Sequence, residues 1–235
     1  NQRGIAIVNV ATRQITKTDF YPSDYALIIA NETMQYIAVL EDPGAKNSSG
    51  HVVVAKRIRP ANLVKIAELQ LEALSPNIFF TNFLAFVGQN LFLTTKSKDK
   101  KILGFIFDVE TQNLYKFMEA KDVSGGHFWW HAVIADWRFI VLPVSSGWIH
   151  LLNMRGERVK SAYLLPFLRH IIYDPQRKLC YIVSDLGFLI IFDPYRAKTV
   201  RKIFLGFKTK SAYQEGNYLY IGSSAGVFRI NLKYL

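Results

Sequence analysis

The chain has 235 residues, half of them apolar and 14% aromatic, with 29 Lys+Arg against 18 Asp+Glu for a net charge of +11. That composition excludes a disordered chain, and Cys180, the single cysteine, excludes an intrachain disulfide framework; the length can bury a core without one. No run reaches the roughly 18 apolar residues that span a bilayer as a helix, and the opening "NQRGIAIVNV" lacks the basic–apolar–small order of a secretion signal.

The opening also lacks Met, as expected of a chain processed or cut from something longer. The cysteine usage favours a reducing compartment, so a cytoplasmic or nuclear location is expected. The basic balance draws anionic partners, whether nucleic acid, acidic protein faces or other polyanions.

In chain order, residues 4–20 read "GIAIVNVATRQITKTDF", two strand-like runs around a turn. Residues 21–74 follow with "YALIIAN", a further apolar run and "GHVVVAKRIRP". Over 59–74, Leu63, Ile66, Ala67, Leu71 and Leu74 share one helical face, and periodicity leaves helix and strand both open. Residues 75–120 contain "FFTNFLAFVGQN", "LFLTTKS" and "GFIFDVETQNLYKF". Residues 121–165 contain "HAVIADW", "RFIVLPVSS" and "GWIHLLNMRGERVKSAY". Residues 166–206 contain "RHIIYDPQRK", "LCYIVSD" and "GFLIIFDPYRAKTV", and 207–235 contain "KSAYQEGN", "YLYIGSSA" and "GVFRINLKYL".

One phrase recurs: Gly, about four apolar residues, then Asp or Asn, then a turn. Its anchors are Asn9, Asp108, Asn153, Asp193 and Asn231, at intervals of 99, 45, 40 and 38. The first interval is about two repeats wide. A short carboxyl or amide at a strand end can accept the next backbone amides and start the turn. Short strands rich in Ile, Val, Phe and Tyr, four to a unit of about 40 residues, describe the blade of a β-propeller.

On "CYIVSDLGFLIIFDPYRAKTV" and "YLYIGSSAGVFRINL" the chain resembles the WD-repeat and quinoprotein-like β-propeller superfamily. It shows neither a Trp-Asp strand end nor a Gly-His blade opening, so no particular member is indicated. The expected fold is all-β, a single propeller domain over 1–235. Its blades are expected at about 21–74, 75–120, 121–165, 166–206 and 207–235. The last holds three strands, and a strand from 1–20 is expected to complete it and close the ring, removing exposed sheet edges. Only one strand is needed, whereas 4–20 offers two.

Catalytic chemistry finds little support. "GSSAG" (222–226) matches a nucleophile-elbow pattern, but it lies between strands, where the strand-to-helix context is missing. His127 and His131 have a zinc-like helical spacing, yet on a strand they stand about 13 Å apart. Cys180 falls inside an apolar run and reads as a buried thiol. Asp136 and Asp174, the acids at the ends of candidate inner strands, read as turn residues rather than a glycosidase pair. Phosphate-loop and dinucleotide glycine patterns are absent. No cofactor and no metal site is expected. Asn31-Glu32-Thr33 and Asn47-Ser48-Ser49 fit the glycosylation pattern.

Blade topology sorts the cations. Turns between first and second strands, and between third and fourth, share one face. That face collects Arg13, Arg57, Arg59, Arg138, Arg155, Arg158, Arg177, Lys178, Arg196 and Lys198. The opposite face is Lys-rich, and "KSKDKK" (96–101) is its solvated hairpin tip. The guanidinium fork suits carboxylates and phosphates, so Arg13, Arg57, Arg59, Arg155, Arg158, Arg177 and Arg196 are candidate partner-binding residues. Pairing with Glu110, Glu157, Asp136, Asp174 and Asp193 on the same turns is the competing role. Trp129 and Trp130 join the candidates, because all four Trp fall within 121–165 and the mean hydropathy of +0.11 is high for a soluble propeller.

The function these features fit is a non-enzymatic interaction scaffold or structural subunit with other proteins as partners. Nucleic-acid binding through the basic faces is the alternative. Carbohydrate binding is a third, and it requires matching aromatic and polar residues in each blade, which the confinement of Trp to one blade does not supply.

Overall fold

A computed structural model of the chain describes residues 5–9, 12, 14–18, 25–31, 33–41, 51–59, 62–73, 78–122 and 131–235. The chain divides into two compact units, Asn1–Glu119 and Ala120–Leu235, each described by itself.

In the first unit, β1 (Ala6–Asn9) and β2 (Gln14–Lys17) pair with each other as a two-stranded sheet. The first blade is β3 (Tyr25–Ala30), β4 (Tyr36–Glu41), β5 (His51–Arg59) and β6 (Asn62–Gln70), in that spatial order and antiparallel. The second is β7 (Ile78–Val87), β8 (Asn90–Ser97), β9 (Lys101–Asp108) and β10 (Leu114–Lys121). The second unit holds β11 (Val133–Ala135), β12 (Phe139–Pro143), β13 (Trp148–Leu152) and β14 (Arg158–Tyr163). Next come β15 (Leu168–Asp174), β16 (Leu179–Ser184), β17 (Phe188–Asp193) and β18 (Lys198–Phe204). Last is a three-stranded sheet of β19 (Thr209–Glu215), β20 (Tyr218–Ser223) and β21 (Gly226–Asn231). These sequential antiparallel meanders are blades, and the fold is an all-β propeller. The expected closing ladder between the N-terminal segment and the last blade is not among the described ladders, in which β1 pairs with β2.

Within the ambiguous segment 59–74, Asn62–Gln70 is strand β6 and Leu71–Ala73 a short 3-10 turn, while residues 60, 61 and 74 lie outside the described residues. Its helix-like spacing has a local cause. Val54 pairs with Ala67 and Ala55 with Lys65, so Ile66 is an extra residue in the ladder. A bulge resets the two-residue alternation, and Leu63, Ile66 and Ala67 acquire a spacing that mimics a helix.

Four of the five turn anchors behave as their chemistry dictates; residues 10, 11 and 13, in the turn that follows Asn9, lie outside the described residues. Asp108 Oδ1 accepts the amides of Glu110 and Thr111 at 2.9 and 3.1 Å. Asn153 accepts those of Arg155 and Glu157 at 3.0 and 2.9 Å, and Asp193 those of Tyr195 and Arg196 at 2.8 and 3.1 Å. Asn231 accepts the Lys233 amide at 3.0 Å. Blades then pack sheet on sheet. Val52 and Val54 of the first meet Leu91, Leu93 and Phe105 of the second. In the other unit Val141, Ile149 and Leu151 meet Ile171, Ile182 and Ile190, and Val183 and Leu189 meet Leu219 and Ile221. Each such side chain contributes about 1.5–3 kcal/mol by leaving water.

The glycine that opens the repeat has a steric reason at two positions. Gly147 and Gly187 have φ of +98° and +81°, and an added Cβ would stand 2.6 Å from the backbone of Leu165 and of Phe207 respectively. Both meet the linker that carries the chain into the next blade. Gly187→Ala is expected to lose about 2 kcal/mol or more, since the left-handed backbone alone costs a side chain roughly 1–2 kcal/mol. Gly206→Ala, at φ +79° with nothing within 4 Å, should lose only the backbone share. Urea melts of the two variants side by side measure the difference.

Candidate interaction surface

The candidate arginines are placed as follows. Arg13, Trp129 and Trp130 lie outside the described residues. Arg57 and Arg59 end β5, Arg57 half-buried and Arg59 exposed. Arg155 is exposed in the β13–β14 turn, and Arg158 is exposed at the start of β14. Arg196 is 84% exposed and reaches the Asp193 carboxylate only at 3.7 Å.

Arg177 has a different role. Its Nη1 donates to Asp174 Oδ2 at 2.8 Å and its Nη2 to Asn217 Oδ1 at 2.6 Å, while Gln214 Nε2 also donates to Asp174 Oδ2 at 2.7 Å. Burial works to raise the Asp174 carboxyl, but these donors and the Arg177 amide outweigh it and hold the group below its ordinary value. Arg177 therefore ties β15 to the last blade, and the local-pairing role applies to it.

Beside it, Tyr195 joins neighbouring blades. Its hydroxyl donates to Asp136 Oδ2 and lies 3.3 Å from the Tyr173 hydroxyl. Arg138 sits 5.3 Å from the Phe139 ring centre and 5.9 Å from that of Tyr195, and Lys178 is 5.9 Å from the latter. Lys160 Nζ donates to the Tyr195 carbonyl at 3.2 Å. The Tyr195 hydroxyl holds the Asp136 carboxyl below the usual range. Asp136 thus sits in the β11–β12 turn, as expected of it, and also makes an inter-blade bond that the sequence did not signal.

The opposite strand ends in this unit form a continuous belt. The Phe167 amide donates to Ser145 O at 3.1 Å, the Asp185 amide to Phe167 O at 3.0 Å, the Leu205 amide to Gly187 O at 2.8 Å, and the Ser224 amide to Lys208 O at 3.3 Å. Hairpin tips and linkers of three successive blades are therefore joined. Along this belt Trp148 pairs across the ladder with Tyr163, and Phe188 with Phe204. The ring centres are 5.6 and 5.1 Å apart. Phe207 stacks on Phe228 at 4.0 Å. Tyr163, Phe167 and Phe204 are 56, 55 and 66% exposed, far more than core packing leaves on such rings.

Matching aromatic positions therefore recur in two blades, while in the last blade Val227 follows the glycine and the ring pair joins linker residue Phe207 to Phe228. Trp counting misses them because Phe and Tyr stand at the equivalent places; the alignment of Gly147-Trp148 with Gly187-Phe188 was the available signal. The charge is equally localised. Residues 120–235 carry 16 Lys+Arg less 7 Asp+Glu, a net +9 of the chain's +11.

Other candidates resolve into structure. Asn31, 6% exposed, donates to Thr33 Oγ1 and Gly88 O and accepts the Gln35 and Tyr36 amides. Its amide is thus committed to a turn rather than presented for glycosylation. The second such triplet, at Asn47, lies outside the described residues. The 222–226 segment makes the β20–β21 hairpin, with the Ala225 amide donating to Ser223 Oγ at 3.0 Å. Cys180 is fully buried, and burial pushes its thiol far up. Among the described residues no group of three His, Cys, Asp or Glu could hold a metal, and no helix is long and apolar enough to cross a membrane.

No known family model matches the chain, and no curated protein matches it. Among solved structures, a protein of unknown function from Bacteroides caccae is similar with a TM-score of 0.71 at 11% identity, over 98% of this chain and 86% of that one. Sqt1 from Saccharomyces cerevisiae is similar with a TM-score of 0.61 at 11% identity, over 97% of this chain. The chain spans 64% of the length of Sqt1. At such identity the likeness shows the propeller fold alone.

Proposed function

We propose that this propeller works as a protein-interaction scaffold, binding an acidic partner without catalysing a reaction. One observation carries the reading: among the described residues the exposed aromatics, Tyr115 apart, fall in residues 120–235, where the net positive charge also lies. Aromatic anchors amid cations are the composition of binding hot spots, and a field of one sign steers an oppositely charged partner. The absence of chemistry is supported by the engagement of the candidate acids. Asp136 is held by Tyr195 and Asp174 by Arg177 and Gln214.

A native pull-down with the tagged chain, with and without nuclease, tests the proposal. Protein partners that survive nuclease and weaken with added salt are expected. Loss of every partner on nuclease treatment would replace this reading with the nucleic-acid one, whose affinity falls steeply with salt.

A further inference from the structure

We infer that the aromatic belt of residues 144–228 is a docking site for one extended segment of a partner protein, acidic and carrying apolar side chains at intervals. The inference rests on the scaffold reading and names its contact surface.

The belt offers one aromatic station per blade: Trp148–Tyr163, Phe188–Phe204 and Phe207–Phe228. The backbone bonds that join tip to linker hold the stations in fixed succession. A ligand that meets all three must itself repeat, and an extended chain does so with the least ordering cost. Phe167 extends the row. This residue has φ of +61° and is 55% exposed; its amide and carbonyl both engage the belt bonds, which leaves its ring on the surface between the first two stations.

Charge chooses the chemistry of that chain. Lys208 and Lys210 are exposed on either side of buried Thr209, next to the Phe207–Phe228 stack. Arg169 is matched by Asp185 at 2.6 Å, and Lys202 donates to Leu164 O at 2.7 Å. The surplus at the third station is positive, so acidic residues in the ligand fit there.

Two features favour polypeptide over single-stranded nucleic acid. The rings already meet each other, Trp148 edge to face with Tyr163 and Phe207 stacked on Phe228, which takes up π-faces that bases would need. Leu186 and Val227, 45 and 74% exposed, add aliphatic surface along the belt, which a phosphate backbone does not match.

The test uses the full chain and a fluorescein-labelled peptide of three Leu-Phe pairs separated by Glu/Asp tetrads, read by anisotropy. Controls are the same peptide with Ala in place of Leu and Phe, and an oligo-uridine of equal charge. The expected result is micromolar binding of the first peptide and at least tenfold weaker binding of both controls. Tyr163→Ser with Phe204→Ser should raise Kd at least tenfold. Lys208→Glu with Lys210→Glu should raise it several-fold, and Lys98→Ser with Lys100→Ser, exposed at the β8–β9 hairpin tip, should leave it unchanged. Unaltered circular dichroism melts exclude misfolding as the cause.

The inference is overturned if the wild-type chain ignores the peptide, if the belt variant binds it as well as wild type does, or if oligo-uridine binds more tightly. Pull-down separates the two levels. Nuclease-resistant partners retained in full by the belt variant would sink this site and leave the scaffold reading standing. Failure of the wild-type chain to retain any would sink the reading itself.

Discussion

Asp174→Ala should be the most damaging single substitution in the second unit, costing about 3–5 kcal/mol, the range for removing one member of a buried ion pair. The carboxylate is 1% exposed and Arg177 25%. One oxygen accepts the Gln176 and Arg177 amides, and the other accepts the Arg177 guanidinium and the Gln214 amide. Truncation leaves four donors with a lost acceptor, one of them charged, where the last blade meets its neighbour. Asp174→Asn keeps one acceptor oxygen but turns an NH2 toward two donors, so it should recover little.

The double variant Asp174→Ala with Arg177→Ala separates pairing from packing. It should be more stable than the sum of the two single losses implies, because no unmatched guanidinium remains. Urea unfolding followed by tryptophan fluorescence measures all three. An Asp174→Ala loss under about 1 kcal/mol would show that water reaches the site and that the blades hold together without this tie.

The fold was legible because its rules are local. A Gly, a run of apolar residues and an Asp or Asn fit within ten positions, and the turns at Asp108, Asn153 and Asp193 need nothing more distant. Strand β6 was harder, since the bulge at Ile66 depends on a ladder with β5. The surface was harder still. Arg177 and Arg196 occupy the same kind of turn and look alike in sequence. One is consumed by Asn217, forty residues away in the chain, and the other is 84% exposed. Phe188 and Phe204 become a pair only when register is known. Exposure follows from which blade covers which strand, and no short window of sequence carries that.

Histidine makes the second large prediction, a loss of stability in mild acid. His131 and His170 stack at 4.4 Å with an 8° interplanar angle, and the Nδ1 of each has no hydrogen-bond partner. Burial, and then the neighbouring His170, push the His131 pKa well below its ordinary 6.5; burial alone pushes His170 down to about 4. Both rings are therefore neutral in the folded protein. The unfolded chain takes up protons as pH falls through 6.5, while the folded one resists until far lower. Unfolding is then favoured progressively across that window, and the contribution to stability is fully present only above about pH 6.5. For His170 the interval between 6.5 and about 4 corresponds to about 3 kcal/mol, and His131 adds in the same direction. Urea melts at pH 7.5, 6, 5 and 4.5 should show the fall, and His170→Phe, which keeps a flat ring and removes the proton site, should flatten roughly half of its slope. A wild-type stability that stays level between pH 7.5 and 4.5 would mean the rings are hydrated and protonate in place. A variant that keeps the full slope would instead assign the acid sensitivity to other groups.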